Sequence, residues 1–136
     1  TALERLTDEL EPGAVLRTRV AAHHDGIATL AIGAQNLRVP LTDATVGTVR
    51  PVRIHARDVA IATERPRNLS IRNVLAAKIL RIEAAPSGSV DVLLDVDGER
   101  LRSRITREAC EELRLSSGQT VFVLIKSVAL ESTLLG

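Results

Sequence analysis

Two short segments of the chain stand out for their hydrogen-bond donors. One is Ser70-Ile71-Arg72-Asn73 and the other is Lys126-Ser127. Together they supply two hydroxyls, an amide, a guanidinium and an ammonium, and neither segment contains a carboxylate. A compact oxyanion accepts hydrogen bonds on every side and is balanced by one or two cations, so this donor set suits its capture. The alternative is purely structural: Ser70 and Asn73 form a turn, and Lys126 is a solvated strand residue.

Histidine and cysteine chemistry is much less favoured. His23 and His24 are adjacent in a predicted hairpin turn, where their side chains diverge, and His55 falls in a predicted strand. No second ligand stands at a metal-binding spacing, so no metal site is expected. Cys110 lies among glutamates, which raise rather than lower a thiol pKa, and we interpret it as a small buried apolar residue.

The remaining carboxylates do not indicate a catalytic site either. Asp91, Asp95 and Asp97 alternate along one predicted strand, which favours a solvated strand face over an acid–base pair. The sequence has no glycine-rich phosphate loop and no serine in a nucleophile elbow. We therefore expect that this region is not an enzyme, with no catalytic residues and no organic cofactor.

Composition narrows the class of protein further. The 136 residues are 45% hydrophobic and 26% charged, but Phe122 is the only aromatic residue, so the core must be aliphatic. A net charge of +1 and the lack of aromatic stacking platforms argue against nucleic-acid binding. No apolar run is long enough to span a membrane, the start lacks signal-peptide features, and a single cysteine suits a reducing compartment, so we expect a cytoplasmic protein without membrane insertion. The start at Thr1 and the absence of Met predict a fragment of a larger polypeptide.

The donor segments are positioned by a pattern of short strands that occurs twice. Leucine spacing predicts a short helical linker over residues 1–12, and alternating apolar runs with turn residues follow it. After a break near Pro66, the pattern begins again. The paired segments are Val15-Leu16 with Val74-Leu75, Arg19-Val20 with Lys78-Ile79, Leu37-Arg38 with Leu101-Arg102, and Ile54 with Ile125.

This tandem repeat predicts an all-β fold of two small OB-like barrels, each of five strands, packed closely together. Residues 13–66 form the first predicted barrel and residues 67–136 the second. The second has an insertion, Arg107 to Leu115, whose apolar spacing predicts a short helix.

The order of motifs in the second repeat resembles the Mop domain, a molybdate-binding module, over residues 69–131. The matching segments are Ser70-Ile71-Arg72-Asn73-Val74-Leu75, Val90-Asp91-Val92-Leu93, Ile105-Thr106, Leu113-Arg114-Leu115 with Gly118, and Ile125-Lys126-Ser127-Val128. The first repeat resembles the TOBE-type barrel. Taken together, the chain is similar to the C-terminal regulatory domain of the ATP-binding subunit of a molybdate ABC importer.

The resemblance implies a ligand, site residues and partners. The ligand would be molybdate or tungstate, held by Ser70, Ile71, Arg72, Asn73, Lys126 and Ser127, partly through main-chain N–H groups. Thr106 would approach from the partner chain of a homodimer. Ala109 stands where the family often has a serine, which removes one hydroxyl donor.

The two repeats are not equally equipped. Where the second has Ser70–Asn73 and Lys126-Ser127, the first has Glu11-Pro12-Gly13-Ala14 and His55-Ala56. Because storage proteins of this family usually carry the motif in both repeats, the asymmetry favours the tail of a transporter. The tail would regulate an ATPase domain in the same polypeptide, beside a membrane permease subunit at the inner membrane. A storage protein, a molybdate-responsive transcription regulator and a structural dimerisation module with a decayed site are the alternatives.

Overall fold

A computed structural model describes residues 13–126 and 128–130 of the chain. The helical linker predicted over residues 1–12 lies outside the described residues, as does Ser127. Strands account for most of what is described, together with one short α-helix and one 3₁₀ turn at Ala56–Asp58. The elements are β1 (Gly13–His24), β2 (Ile27–Ile32), β3 (Gln35–Pro40), β4 (Val49–His55), β5 (Val59–Ala62), β6 (Asn73–Ala85), β7 (Ser89–Val96), β8 (Glu99–Thr106), α1 (Arg107–Glu112), β9 (Thr120–Ile125) and β10 (Ala129–Leu130).

The strands form two five-stranded antiparallel sheets, which confirms the all-β prediction with its single short helix. One sheet has the order β10-β4-β1-β2-β3 and the other β5-β9-β6-β7-β8. Each repeat gives its last strand to the sheet of the other, because β5 pairs with β9 and β10 pairs with β4. The two repeats are therefore interlocked by hydrogen bonds as well as packed together.

The repeat predicted from the sequence is visible in the strand registers. In β1 the pairing with β2 shifts between Val20 and Ala22, and in β6 the pairing with β7 shifts between Ile79 and Arg81. Both positions are β-bulges at the same place in the repeat, where an extra residue bends the strand. The registers also make Ile27 of the first repeat equivalent to Asp91 of the second.

The core is aliphatic, as the composition requires. Inward residues alternate along the strands, so β2 follows a strict half-buried and buried pattern. Both sheets contribute to one buried apolar cluster. Its largest fully buried side chains include Leu16, Leu30, Leu37, Ile54, Leu75, Ile79, Leu94, Leu101 and Ile125.

Hairpin turns and strand edges join the two repeats at the surface. The β2–β3 turn meets the β7–β8 turn, where the Ala34 N–H donates to Asp97 Oδ2 at 3.0 Å. Beside it, the Gln35 side chain donates from Nε2 to the Ala76 carbonyl at 2.9 Å and accepts from the Ala76 N–H at 2.7 Å. These contacts hold β3 against the first residues of β6, which pair with β9 but not with β7, and the candidate site lies there.

Three details differ from the sequence-based expectations. Asp91 is only 5% exposed, so the solvated face predicted for it is wrong: Arg104 covers it with hydrogen bonds of 2.8 and 2.9 Å. His23 and His24 end β1 instead of forming the turn, because strand pairing continues to His24 opposite Ile27. The sequence has one β-rich run from Val49 to Ala62, but the 3₁₀ turn divides it into β4 and β5, which lets β5 cross to the other sheet.

Candidate functional site

An open cleft of about 560 Å³ lies where β3 of the first repeat meets the start of β6 and the end of β9. It is lined by the predicted donors Ser70, Ile71, Arg72, Asn73 and Lys126, together with Arg38, Val39, Pro40, Ile125 and Val128. Five of the seven residues predicted for the site therefore line one cleft. Of the other two, Ser127 lies outside the described residues, and Thr106 does not line the cleft of this chain.

Strand pairing explains why two segments more than 50 residues apart in sequence meet. Asn73 begins β6 directly opposite Ile125, the last residue of β9. The residues preceding Asn73 and the one following Ile125 therefore leave the sheet at the same end. The Lys126 N–H donates to the Asp58 carbonyl at 3.0 Å, which fixes the direction in which the chain leaves β9.

The Asn73 side chain connects the cleft to the first repeat. Its Oδ1 accepts from the Arg38 N–H at 2.8 Å, and its Nδ2 donates to the Arg38 carbonyl at 3.0 Å. The amide thus mimics one residue of a β-ladder and orders Arg38 at the rim. One Nδ2 hydrogen is left for other acceptors, because a primary amide has two.

Changing Asn73 to Asp should break half of this connection. The carboxylate keeps an acceptor for the Arg38 N–H but places an oxygen against the Arg38 carbonyl, which also only accepts. We expect a loss of about 1–2 kcal/mol in the free energy of unfolding, measured by urea titration. The control is Asn36→Asp on the exposed face of β3, expected to change stability by less than about 0.5 kcal/mol. Equal effects of the two substitutions would contradict the role given to the Asn73 amide.

The cleft is electropositive. Arg38, Arg72 and Lys126 line it and are exposed, and no carboxylate side chain is among the lining residues that the structure describes. Neutral donors complete the set, from the Ser70 hydroxyl and the Asn73 amide. Such an arrangement stabilises a multiply charged anion with several acceptor oxygens, and it is poorly suited to a cation.

Thr106 has a structural role in this chain. It is the residue before α1, and its Oγ1 accepts from the Ala109 N–H at 3.0 Å, which is a helix N-cap. A capping hydroxyl accepts one hydrogen bond and retains its own proton for donation. Thr106 is exposed, so its hydroxyl can donate a hydrogen bond to a group outside this chain.

The sequence-based prediction did not count Ile125 and Val128, which flank the predicted donors of the second repeat, among the site residues. Three further lining residues were missed altogether, namely Arg38, Val39 and Pro40. All belong to β3 of the first repeat, whereas the prediction placed the site in the second repeat alone. The available signal was the alternation of β3, which turns Arg38 outward while Leu37 and Val39 are buried. That pattern identifies an exposed arginine, but it does not show which strand edge lies beside it.

The other reactive residues form no second site in the described part of the chain. Burial raises the pKa of the Cys110 thiol and the adjacent Glu111 raises it further, so the thiol stays protonated near neutral pH. Over residues 13–126 and 128–130, no three metal-ligating side chains cluster. In the same ranges, no helix is both long and apolar enough to cross a membrane.

Comparison with known proteins points to one group. The family model described as TOBE domain matches residues 69–131, the segment that contains the donor motifs. Curated relatives carry the name molybdenum import ATP-binding protein ModC. The one from Rhizobium etli is 39% identical over 91% of this chain, the one from Yersinia pestis 40% over 95%, and the one from Paramagnetospirillum magneticum 41% over 94%. The chain covers 36% of the length of each of these relatives.

A solved structure shows the same fold. The cytoplasmic molybdate-binding protein ModG, in a crystal form with molybdate bound, superposes with a TM-score of 0.69 and 24% sequence identity. The superposition covers 85% of this chain and 94% of that one. Residues 69–131 therefore match the TOBE domain model, and the chain is similar, over most of its length, to a part of the molybdenum import ATP-binding proteins.

Proposed function

We propose that this chain is a regulatory domain that binds molybdate or tungstate in the cleft between β3, β6 and β9. The observation that carries the proposal is the convergence of Ser70, Arg72, Asn73 and Lys126 on one cleft without a carboxylate among its described lining residues. Tetrahedral dianions present four acceptor oxygens and two charges, which match the hydroxyl, amide and cationic donors gathered there. The molybdate bound by a protein of the same fold, and the name of the curated relatives, support this choice of ligand.

Isothermal titration of the chain with molybdate tests the ligand, with sulfate as the matched tetrahedral dianion. We expect saturable binding of molybdate, for which the open cleft has room. Sulfate has the same shape and charge but is smaller, so its affinity shows how far anion size contributes. A thermal-shift measurement gives an independent readout, since a ligand at a hundred times its dissociation constant stabilises the folded state by about 2.7 kcal/mol. No heat and no shift with molybdate would disprove the proposal.

Changing Lys126 to Ala should weaken binding strongly. A charge-assisted hydrogen bond contributes about 1.5–3 kcal/mol, so the dissociation constant for molybdate should rise about 10- to 100-fold. The side chain is exposed, so the fold and the melting temperature without ligand should be retained. The control is Lys78→Ala, an exposed lysine on β6 outside the cleft, which should leave affinity within about twofold. Unchanged affinity in Lys126→Ala would show that the site lies elsewhere.

A second candidate function is a structural dimerisation module whose oxyanion site has decayed. Ala109 favours it, because its side chain has no hydroxyl: its polar contacts are made by the backbone, whose N–H donates to Thr106 and whose carbonyl accepts from the Leu113 N–H. This alternative predicts a dimer by light scattering and no stabilisation by molybdate, which the thermal-shift measurement distinguishes. Storage protein and transcription regulator are the other parent proteins in which a molybdate-binding domain of this kind would serve.

In the parent protein, the domain would act on an ATPase at the cytoplasmic face of the inner membrane. The supporting observation is its homology to a part of ATP-binding proteins of molybdenum import. Two copies would form a homodimer in which Thr106 of one chain approaches the cleft of the other. A twofold interface makes each contact twice, so the dimer would have two such sites. Ligand binding would favour the arrangement that completes this site and, by linkage, hold the ATPase domains apart when molybdate is abundant.

ATP hydrolysis by the assembled transporter, measured against molybdate concentration, tests this feedback. We expect hydrolysis to fall over the concentration range in which the domain binds its ligand. Flat or rising activity while the domain is saturated would overturn the proposed direction of regulation.

A further inference from the structure

The first repeat contributes one charged residue to a cleft whose other polar lining comes from the second. Arg38 is exposed on the outer face of β3, and both its backbone N–H and its carbonyl are held by the Asn73 amide. Its backbone is thus fixed at the rim at two points. The side chain lines the same cleft as Arg72 and Lys126.

The duplicated fold provides an internal comparison for Arg38. Its equivalent in the second repeat is Arg102, whose guanidinium lies 3.6 Å from the carboxylate of Asp91. Asp91 is a buried residue opposite Arg104 on the neighbouring strand, two positions along from Arg102. In the second repeat, the arginine therefore lies beside a carboxylate of its own sheet, which it shares with Arg104.

The first repeat lacks that carboxylate. Ile27 occupies the position equivalent to Asp91, opposite Pro40 and two positions along from Arg38. Within the part of the chain that the structure describes, no acidic side chain pairs with Arg38. Its charge is therefore available to a ligand in the cleft, unlike the charge of Arg102.

We propose that Arg38 is a third anion-binding cation of the cleft and that it sets a preference for doubly charged over singly charged tetrahedral oxyanions. This inference rests on the proposed function and assigns its charge selectivity. The attraction between two charges is proportional to their product, so each added cation stabilises a dianion twice as much as a monoanion at the same distance. Removing one cation should therefore lower dianion affinity by the square of the factor by which monoanion affinity falls.

Molybdate and perrhenate are the probes, because both are tetrahedral oxyanions of similar size and differ by one unit of charge. Both are titrated into the unaltered chain, Arg38→Gln and Arg38→Lys at fixed ionic strength. If Arg38→Gln weakens perrhenate binding about threefold, it should weaken molybdate binding about tenfold. Arg38→Lys should recover most of the ratio of molybdate affinity to perrhenate affinity, because it restores the charge. The control is Arg100→Gln, which removes one exposed charge from β8, outside the cleft, and should leave the ratio unchanged.

A second substitution tests the same charge without touching Arg38. Ile27→Asp places a carboxylate where the second repeat has Asp91, and it should lower the molybdate-to-perrhenate ratio as Arg38→Gln does, whereas Ile27→Asn should not. Circular dichroism checks that both variants fold. If the unaltered chain binds neither anion, the proposed function fails and this inference with it. If it binds molybdate and the ratio is the same in Arg38→Gln, only the role of Arg38 is overturned.

Discussion

Replacing Asp91 with Ala should destabilise the fold by about 3 kcal/mol, the largest effect we expect from a side chain outside the apolar core. Asp91 is 5% exposed and receives two hydrogen bonds from Arg104, at 2.8 and 2.9 Å. The Arg104 side chain is itself only 13% exposed, so the substitution leaves a guanidinium largely desolvated without its partner. In the unaltered chain the hydrogen bond to Asp91 raises the pKa of Arg104. A guanidinium also keeps its proton in proteins without such a partner, so Arg104 does not escape this cost by deprotonation. Urea denaturation measures the change in the free energy of unfolding.

Asp95→Ala is the matched control on the same strand. Asp95 also faces an arginine across the sheet, but the distance to Arg100 is 3.8 Å and its side chain is 31% exposed. An exposed pair of this kind contributes less than about 1 kcal/mol. A double variant, Asp91→Ala with Arg104→Met, should recover much of the loss because it also removes the most buried of the unpaired charges, that of Arg104. If the Asp91 and Asp95 variants are equally stable, the buried pair does not have the role assigned to it.

Replacing Gly33 with Ala should cost about 2–4 kcal/mol, because two effects add. Gly33 has a φ of 58°, in the left-handed region that favours glycine. A Cβ at this position would also overlap the Cβ of Asp97 and lie 2.9 Å from its Oδ2. The substitution would push apart the two hairpin turns that hold the repeats together beside the site. Thermal unfolding measures the effect as a lowered melting temperature.

Gly26→Ala separates the two contributions. Gly26 has a φ of 75° in the β1–β2 turn, but a Cβ there would meet nothing within 4 Å. Only backbone strain remains, which corresponds to about 1–2 kcal/mol. Combining Gly33→Ala with Asp97→Gly removes the overlapping Cβ and should restore part of the lost stability. If Gly33→Ala lowers the stability no more than Gly26→Ala does, the two turns are not in close contact at Gly33.

The fold was largely predictable because its signals are local and repeated. Alternating apolar residues identified the strands, and their recurrence identified two related units of five strands each. The exchange of β5 and β10 between the sheets was not predictable in this way. Each exchanged strand is only two to four residues long, and its pairing is with residues far away in sequence. A short apolar strand can pair with either sheet, and the packing and register of the whole fold determine which one it joins.

The candidate site was predictable to the extent that its donors are close together in sequence. Ser70 to Asn73 and Lys126 were identified from residue type, and the cleft brings them together. That they bind an oxyanion stays a prediction. Arg38 was not identified, because it reaches the cleft only through contact between the edges of β3 and β6. Asp91 was misinterpreted for a related reason: alternation shows which face a side chain is on, but not whether neighbouring arginines cover that face.

The sequence by itself determined the aliphatic core, the tandem repeat, and the presence of concentrated hydrogen-bond donors in one repeat and their absence from the equivalent positions of the other. These properties depend on residue type and spacing along the chain. The tertiary structure decided that the two repeats share strands, that Arg38 lines the same cleft as Arg72 and Lys126, and that Arg102 lies beside a carboxylate while its equivalent does not. Such relations depend on which strand edges meet, and that choice is made by burial and hydrogen bonding over the whole molecule, because no local segment contains both partners.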